Sequence, residues 1–455
     1  MSKIIVRRLV IFLLIFSALS CSNDDNYVPI LIEANMDIVD VDENSEVIID
    51  VLVNDINVPD NGILYTITTQ NGNTEVLDPN ITPNNPLDDV ILYTPNSDFV
   101  GNDSFQYTIC DRNDNCGIGT VNVTVNETSP VNFNLENIPF NTLSEYNFYE
   151  GDLKDLNPVL GVLPYNLNST LFTDYARKKR FVWMPSGTKA NYDTDFTPLD
   201  FPIGTVLIKN FYYNNVLPNN DTRIIETRLM YLTTQGWDFA EYVWNDDQTE
   251  ATFTTNGSFT NVAWSQEGNN KNVTYRIPSR NECFSCHNKF GTPGPIGPKP
   301  QNLNRNINYE DGIANQLQKW IDVGYLENSL PSSIVSTVQW DDKSLDLNLR
   351  LRSYLDINCA HCHSDESYCE YRPMRFAFND NENDTNKGVC VEPDTQIIGT
   401  SFIVEPNNIE QSVLRFRVSS IEEENRMPLL GRTLKHQEGV QLIDEWINSL
   451  EGACQ

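Results

Sequence analysis

Alternation of apolar and polar residues dominates the N-terminal part of the chain. Residues 121–125 alternate with a period of two, and residues 47–53 and 104–109 are rich in β-branched and aromatic side chains. Turn-forming residues separate these runs. A period of two places every second side chain on one face of a sheet, so residues 36–126 are predicted to form an all-β sandwich.

A second β-rich region is predicted over residues 127–277. Strand-like runs occur at 205–213, 223–233 and 238–244, and the pair Gln235-Gly236 forms a turn between the last two. The aromatic residues of these runs are typical of strands that pack in a core.

The pattern changes to a helical period near residue 278. Ala314, Leu317 and Ile321 recur at helical spacing, and a last apolar face runs along residues 440–450. We therefore expect a multidomain protein, in which the two β regions are followed by a mainly α region. That region is predicted in two parts, 278–340 and 341–455.

Two short motifs carry the chemistry of the α region. Residues 283–287 read Cys-Phe-Ser-Cys-His and residues 359–363 read Cys-Ala-His-Cys-His, so both are C-x-x-C-H. This is the attachment signature of c-type haem. Two thiols at this spacing can each add to a vinyl group of the porphyrin, and the adjoining His then lies under the iron as its proximal ligand.

Rival interpretations of the motifs are a redox dithiol and a zinc site. A zinc ribbon requires two C-x-x-C pairs about 15–20 residues apart, and far more residues separate Cys286 from Cys359. Two of the four His residues of the chain directly follow the second Cys of a pair. We therefore predict two covalently bound c-type haems, held by Cys283, Cys286 and His287 and by Cys359, Cys362 and His363.

Met427 is the predicted distal ligand of the second haem. It precedes Pro428 in a loop just before the terminal helix. The order of helix, haem motif, Met loop and terminal helix is that of a class I cytochrome c domain, here 341–455. Ligation by His and Met raises the reduction potential and closes the iron to exchange. The alternative is that Met427 is an apolar core residue.

The sixth ligand of the first haem stays open, since no Met or His occurs between Asn288 and Ala360. Bis-His ligation through His436 would give a low-potential centre. A five-coordinate iron would instead allow peroxide or small-ligand chemistry, with His361 as a distal group. The candidate ligands are Met184, Met230, Met374, His361 and His436.

The N-terminus predicts export. Positive residues precede an apolar run at 9–19, which is too short to span a bilayer, and no other apolar run is long enough to do so. Residues 18–20 read Ala-Leu-Ser before Cys21, which resembles a bacterial lipoprotein signal. The acidic residues that follow resemble the stretch that marks surface-exported lipoproteins in some Gram-negative bacteria.

The lipoprotein resemblance implies a location in the bacterial cell envelope. Residues 1–20 would be removed, Cys21 would carry the lipid, and residues 21–35 would tether the protein to the outer membrane, with surface exposure as an option. The alternative is an ordinary secretory signal with a free Cys21.

Ten Cys residues fit an exported protein. Cys110 and Cys116 bracket a predicted hairpin turn, so a local disulfide is expected. Among the cysteines outside the haem motifs and the lipid site, Cys369 and Cys390 are the preferred second pair, which leaves Cys454 odd. The sequence does not fix this connectivity.

The formal net charge of −32 limits the partners. It excludes nucleic acid and an anionic membrane surface, so the lipid anchor is the only membrane contact predicted. A solvated acidic surface is the simplest interpretation, although a basic redox partner protein would be steered toward it. The basic cluster at residues 177–180 interrupts the acidic chain and fits haem propionates, a docking site or a solvated turn.

Residues 36–126 resemble the Ig-like, cadherin-like modules of bacterial surface proteins. The segments that carry the resemblance are 50–55 and 93–105. In that family the modules act as spacers or adhesive units, and some bind Ca²⁺. The Ca²⁺ candidates here, unless they are solvated loop acids, are Asp40, Asp42, Glu43 and Asp103.

Residues 131–455 resemble a family of bacterial diheme c-type cytochromes. The resemblance rests on both haem motifs, on residues 277–280 before the first motif, and on the segments 171–176, 372–375 and 426–432. It implies haem binding and electron transfer, and it supplies no substrate. The expected fold is then an Ig-like sandwich, a β-rich domain and a mainly α cytochrome c-type haem region.

Electron transfer between the two haems and a redox partner is the function that the sequence favours. One alternative is a diheme, peroxidase-like oxidoreductase with an open first haem, although no acid–base constellation is evident. Another is a binding module whose β domains recognise glycan or protein. The sequence does not decide whether the protein is an enzyme, and it assigns no catalytic residue.

Overall fold

The computed structural model describes residues 30–397 and 399–455. The chain divides into two units, Met1–Thr128 and Ser129–Gln455. The predicted signal sequence, the lipid site at Cys21 and the first part of the tether lie outside the described residues.

The alternating segments of the first unit form seven strands in two sheets. In strand order the sheets are β1-β7-β6-β3 and β2-β5-β4, with β1 parallel to β7. On the last strand Val121, Val123 and Val125 are buried in the core between the sheets, whereas Asn122 is exposed. The predicted all-β sandwich is confirmed. Its strands are β1 (Asp37–Asp42), β2 (Val47–Ile49), β3 (Gly62–Thr66), β4 (Gly72–Leu77), β5 (Val90–Pro95), β6 (Gly101–Asp111) and β7 (Cys116–Asn126).

An eight-stranded antiparallel sheet forms the centre of the second unit. Six strands follow the order β10-β11-β12-β13-β14-β15, while β16 pairs with β12 and with β17. Short two-stranded ribbons surround this sheet. The strands are β8 (Tyr149–Glu150), β9 (Asn157–Pro158), β10 (Leu163–Tyr165), β11 (Arg177–Trp183), β12 (Val206–Val216), β13 (Asp221–Thr233), β14 (Gly236–Trp244), β15 (Ala251–Thr254), β16 (Ser258–Gln266), β17 (Asn269–Ile277), β18 (Asn288–Lys289), β19 (Thr292–Pro293), β20 (Asn306–Tyr309) and β21 (Gly312–Asn315).

Both faces of the sheet are buried over its central strands β11 to β14. Phe181 and Ile208 belong to the core on one face. Val182 and Met230 belong to the core on the other, which also contains Trp320 from the region beyond the sheet. Because this second core joins the sheet to the region after residue 277, the boundaries expected at 277 and 340 do not separate compact units.

The helices after residue 278 are short and are joined by long irregular segments, so the region is less helical than the sequence suggested. A π-helical turn, Asp356–Ala360, continues the fourth helix. No helix of the described ranges has the length and apolar character needed to cross a membrane. The helices are α1 (Arg280–Cys286), α2 (Pro300–Leu303), α3 (Gln316–Asp322), α4 (Leu347–Leu355), α5 (Val413–Ser419) and α6 (Gln437–Ser449).

The terminal helix α6 packs against α4. Tyr354 and Leu355 of α4 share an apolar core with Val440 and Ile443 of α6. The two helices approach closely at Gly439, where a Cβ atom would lie only 2.6 Å from the Tyr354 Cζ atom. A glycine is therefore required at this crossing.

Two disulfides tie down loops of the structure. Cys110 and Cys116 are joined across the β6–β7 turn, where the sequence places a local bridge. The second disulfide joins Cys390 to Cys454, which corrects the expected pairing of Cys390 with Cys369. The C-terminal segment returns to residue 390, whereas the backbone N–H of Cys369 is held at the second haem motif by a 2.9 Å bond to the Cys362 carbonyl.

Candidate functional site

The first C-x-x-C-H motif forms the end of helix α1. A capping box between Ser279 and Glu282 starts the helix and fixes its direction. Cys283 and Cys286 lie in the following turn, and the His287 N–H donates to the Cys283 carbonyl at 2.9 Å. The His287 Nδ1 atom lies 2.9 Å from the carbonyl of Gly294, so Nδ1 carries the proton and Nε2 is left with a free lone pair.

The second motif forms the same kind of turn after helix α4. The His363 N–H donates to the Cys359 carbonyl, again at 2.9 Å. The imidazole is buried against the edge of Phe376, with ring centroids 5.6 Å apart. Its Nδ1 atom has no hydrogen-bond partner among the described residues. Two distant segments of sequence thus present a histidine on a similar helical turn.

A cavity of about 340 Å³ lies beside the second motif. Its lining includes Cys359, Cys362, His363 and Met427. Aliphatic side chains from helix α5 and from the Met loop complete much of the wall. The proximal and distal residues expected for the second haem therefore line one space, whose volume is within the usual range for ligand sites.

Two buried polar residues hold the loop that carries Met427. The Arg432 guanidinium donates to the Met427 carbonyl at 2.7 and 3.0 Å and to three carbonyls at the end of α5. The Asp174 carboxylate accepts hydrogen bonds from Thr433 and Leu434 at 2.7 to 2.9 Å. Neither Asp174 nor Arg432 could be assigned this role from the sequence, because their partners are distant in the chain or are backbone carbonyls.

A smaller cavity, of about 170 Å³, lies beside the first motif. Helix α1 contributes Cys283 and Cys286, and the sheet contributes the strands β10 to β14. The Phe239 ring lies 5.2 Å from the His287 ring, measured between centroids. The β-rich region therefore forms one wall of the first site and is more than a neighbouring domain.

The two cavities adjoin. Cys286, His361, Pro428 and Leu430 line both of them. Ligand atoms of Cys286, His361 and Cys362 all lie within 4.8 Å of one another. Residues far apart in the sequence thus bring the two motifs into direct contact, which sequence reasoning left undecided.

The candidate sixth ligands of the first haem do not all line the first cavity. Met230 and His361 line the first cavity, whereas Met374 lines the second. Met184 is buried in the apolar core and lines neither cavity.

His436 also lines neither cavity, so bis-His ligation through it is not supported. Its ring stacks on Phe172 with centroids 4.0 Å apart, and its Nδ1 atom bonds to the Tyr354 hydroxyl at 3.0 Å. Because His436 caps the start of α6, its side chain turns into the aromatic core between α6 and α4.

The donor set of each cavity fits a c-type haem. Each motif offers two thiols that form no disulfide, and one imidazole. Burial lowers the pKa of His287 and of His363 to about 4, so both imidazoles are neutral, which is the form that binds iron. The bond from His287 to Gly294 orients the ring in the way that ligand histidines require.

Comparison with known proteins assigns the N-terminal unit. Residues 26–124 match the bacterial Ig domain family. The match ends before both C-x-x-C-H motifs. A bacterial Ig domain indicates an extracellular or surface protein, in agreement with the predicted export.

The other two comparisons support no further assignment. No curated protein matches the chain. A solved structure of protocadherin gamma B7, extracellular cadherin domains 1–4, is 7% identical and covers 54% of this chain and 76% of its own. Its TM-score of 0.16 is too low to indicate a shared arrangement.

The Ig domain does not bring the Ca²⁺ candidates together. Asp103 accepts a 2.9 Å hydrogen bond from the Tyr93 hydroxyl, and Glu43 accepts from the Thr128 N–H at 2.9 Å. Asp40 and Asp42 lie on β1, and none of the four belongs to a ligand cluster within the described residues. These acids are therefore engaged in local bonds or spread along the strands.

Proposed function

We propose that the chain is an exported diheme c-type cytochrome that transfers electrons to or from a protein partner. The observation that carries the proposal is the pair of adjoining cavities, each with its own C-x-x-C-H turn. A haem in each cavity would supply a one-electron iron couple. The shared wall supports exchange between the two centres, because electrons pass most readily between groups in contact.

The protein side chains anchor and tune these centres. The four motif cysteines would hold the porphyrins, and His287 and His363 would bind the two irons. Met427 would supply a thioether ligand at the second site, where Arg432 and Asp174 fix its loop. Apolar residues dominate the wall around Met427, and ligation by His and Met would favour a centre that carries electrons without binding substrate.

A second candidate function is supported by the first cavity. Glu241 and Arg228 line it together with His287. Acidic and basic groups beside an open iron are what peroxidase-like chemistry needs. The sequence showed no such constellation because these residues lie on strands far from the motif. An open first haem with an enzymatic role is therefore the alternative to a pure electron carrier.

A third candidate rests on the thiol cluster between the cavities. Cys286, Cys362 and His361 could hold zinc with two sulfur ligands and one nitrogen ligand. That assignment leaves Cys283, Cys359 and both motif histidines without a role, so haem accounts for more of the site.

The experiment that tests the proposal counts haem in the full chain, exported by a host that matures c-type cytochromes. The wild type should contain two covalent haems per chain and no stoichiometric zinc, measured by pyridine haemochrome and metal analysis. The double variant Cys359→Ser/Cys362→Ser should lose one haem. Cys369→Ser is a matched control, because this free thiol lines the same cavity outside the motif.

The spectrum then separates carrier from catalyst. Two low-spin centres that do not bind CO would support electron transfer, whereas one high-spin, CO-binding centre would favour the enzymatic alternative. A wild-type protein that carries zinc and no haem would contradict the proposal.

A further inference from the structure

A row of four charged residues and one tyrosine crosses the second-unit sheet beside the first motif. Strand register places Tyr165 opposite Arg180, Arg180 opposite Lys209, Lys209 opposite Arg228, and Arg228 opposite Glu241. The five residues come from the consecutive strands β10 to β14. We call them the charged row.

All members of the charged row line the first cavity. The parallel row two residues away on the same strands is apolar, and Val182, Leu207 and Met230 pack there in the core. Leu207 and Met230 of the apolar row line the cavity too, so the charged row is the polar part of its wall. The basic segment at residues 177–180 is therefore part of strand β11 rather than a solvated turn, and Arg180 is only 4% exposed.

Two of the three cations of the row, Arg180 and Lys209, form no ion pair among the described residues. Arg228 forms ion pairs with Glu226 and with Glu241, the latter at 3.2 Å. Arg180 has only a 3.5 Å contact with the Asn166 side-chain oxygen, and its Nη2 atom has no partner among the described residues. Lys209 faces the ring of Phe211 at 4.8 Å and has no carboxylate within ion-pair distance in the described ranges.

Such an arrangement is unfavourable without an anion. Like charges directly opposite one another on neighbouring strands repel, and a buried unpaired charge loses its hydration. Burial, and next Arg180 and Arg228, hold the pKa of Lys209 well below its usual range. The chain carries 63 acidic residues, yet none in the described ranges forms an ion pair with Arg180 or Lys209. Glu226 only partly offsets the effect of the neighbouring cations on Lys209.

We propose that Arg180 and Lys209 form a binding site for a carboxylate anion in the cavity of the first motif. The carboxylate can be a porphyrin propionate or that of a free small acid, since both offer the same acceptor oxygens. In the first case the inference rests on the proposed function and adds the residues that fix the orientation of the first haem. In the second case it names the ligand class of the site.

The test compares Arg180→Gln and Lys209→Gln with a matched control in the full-length protein. The control is Arg223→Gln, which removes a cation from strand β13 whose partner is Asp246 at 2.9 Å and which does not line the cavity. Because Arg180 is deeply buried, Arg180→Gln risks misfolding. Lys209→Gln then provides an independent test of the same site. Haem content is measured for every variant, so loss of the proposed function is detected separately.

Two readouts distinguish the sources of the carboxylate. The first is the reduction potential of each haem. A propionate held by Arg180 and Lys209 predicts that either variant lowers the potential of one haem, because a lost cation destabilises the reduced iron. It also predicts that succinate does not bind.

The second readout is calorimetric titration with succinate. A free-acid site predicts saturable binding to the wild type, about tenfold weaker in both variants and unchanged in Arg223→Gln.

The inference is overturned if succinate does not bind and both cavity variants keep the wild-type potentials. It is also overturned if Arg223→Gln changes either readout as much as the cavity variants do. In a protein without haem only the titration applies, and absence of succinate binding then overturns the inference as well.

Discussion

At the scale of single residues, Met427 offers the most direct test of the second site. Met427→Ala should abolish the methionine-to-iron spectral signature of one haem and lower its potential, because the thioether favours the reduced iron. The other haem should be unchanged. Optical and EPR spectra with a redox titration measure this.

Met374→Ala is the matched control for Met427, since both methionines line the same cavity. Only the Met427 variant should change the spectrum. An unaltered spectrum in Met427→Ala would remove the assignment of this residue, and an equal change in both variants would point to a loss of packing instead.

A second residue with a clear prediction is Asp37 in the Ig domain. Burial, and next Asp55, raise the pKa of Asp37 to about 6, and one carboxylate oxygen has no partner among the described residues. The folded state therefore binds this proton more tightly than the unfolded state. The group destabilises the domain progressively as pH rises from about 4 to 6 and by a constant amount above that.

Asp37→Asn should therefore stabilise the Ig domain at pH 7 by about 1 kcal/mol, a value reduced for solvent screening at this half-buried site. The gain should largely disappear near pH 3, where wild-type Asp37 is mostly protonated in both states. Calorimetric unfolding of the full chain at the two pH values measures this. A gain of equal size at pH 3 would show that charge is not the cause.

At the scale of elements, the disulfide between Cys390 and Cys454 holds the segment after α6. It closes a loop with a sequence separation of 64 residues. Loop-closure entropy predicts that Cys390→Ser/Cys454→Ser lowers the free energy of unfolding of the second unit by about 4 kcal/mol. The control in denaturant titrations is Cys369→Ser, which removes a buried cysteine outside any disulfide. An equal loss of unfolding free energy in this control would contradict the entropic origin.

The sequence predicted those elements whose side chains repeat with a clear period. Residues 121–125 became β7, and the apolar face at 440–450 became α6. Periodicity does not show which face of a strand lines a cavity, so the basic segment of β11 was not distinguished from a solvated turn. For the same reason the position of His436 could not be predicted, since it depends on how α6 meets α4.

The motifs themselves were readable because their chemistry is local. Cys-x-x-Cys-His fits in a single helical turn, so the candidate residues of each motif could be named from the sequence, and in the structure they line a cavity. Their attachment to haem stays a prediction. The Cys390–Cys454 bridge and the Asp174–Thr433 contact join residues distant in sequence. Only the folded chain reveals such pairs.

At the scale of the whole molecule, the functional sites belong to one unit. Every residue that lines the two cavities lies between Tyr165 and Gly431. Removal of residues 22–128 should therefore leave the haem content, the spectra and the potentials of both centres unchanged. Haemochrome assays and redox titration of the truncated, exported chain measure this, and the loss of either haem would show that the Ig domain is needed for maturation.

The sequence places boundaries near residues 126, 277 and 340, whereas the chain forms two compact units that meet after Thr128. Turn-forming residues and a change of pattern lie near the first of these boundaries. The boundaries at 277 and 340 were not found, since one face of the sheet supplies a wall to the site after residue 278. A domain boundary is visible in sequence only where few contacts cross it.

The shared wall between the cavities bears on how the protein is made. Cys286 lines both cavities, and its sulfur lies within 4.8 Å of that of Cys362. If both motifs carry haem, each porphyrin is attached beside a wall that the other porphyrin also contacts. A defect in loading one motif would then leave a void that weakens the pocket of its neighbour.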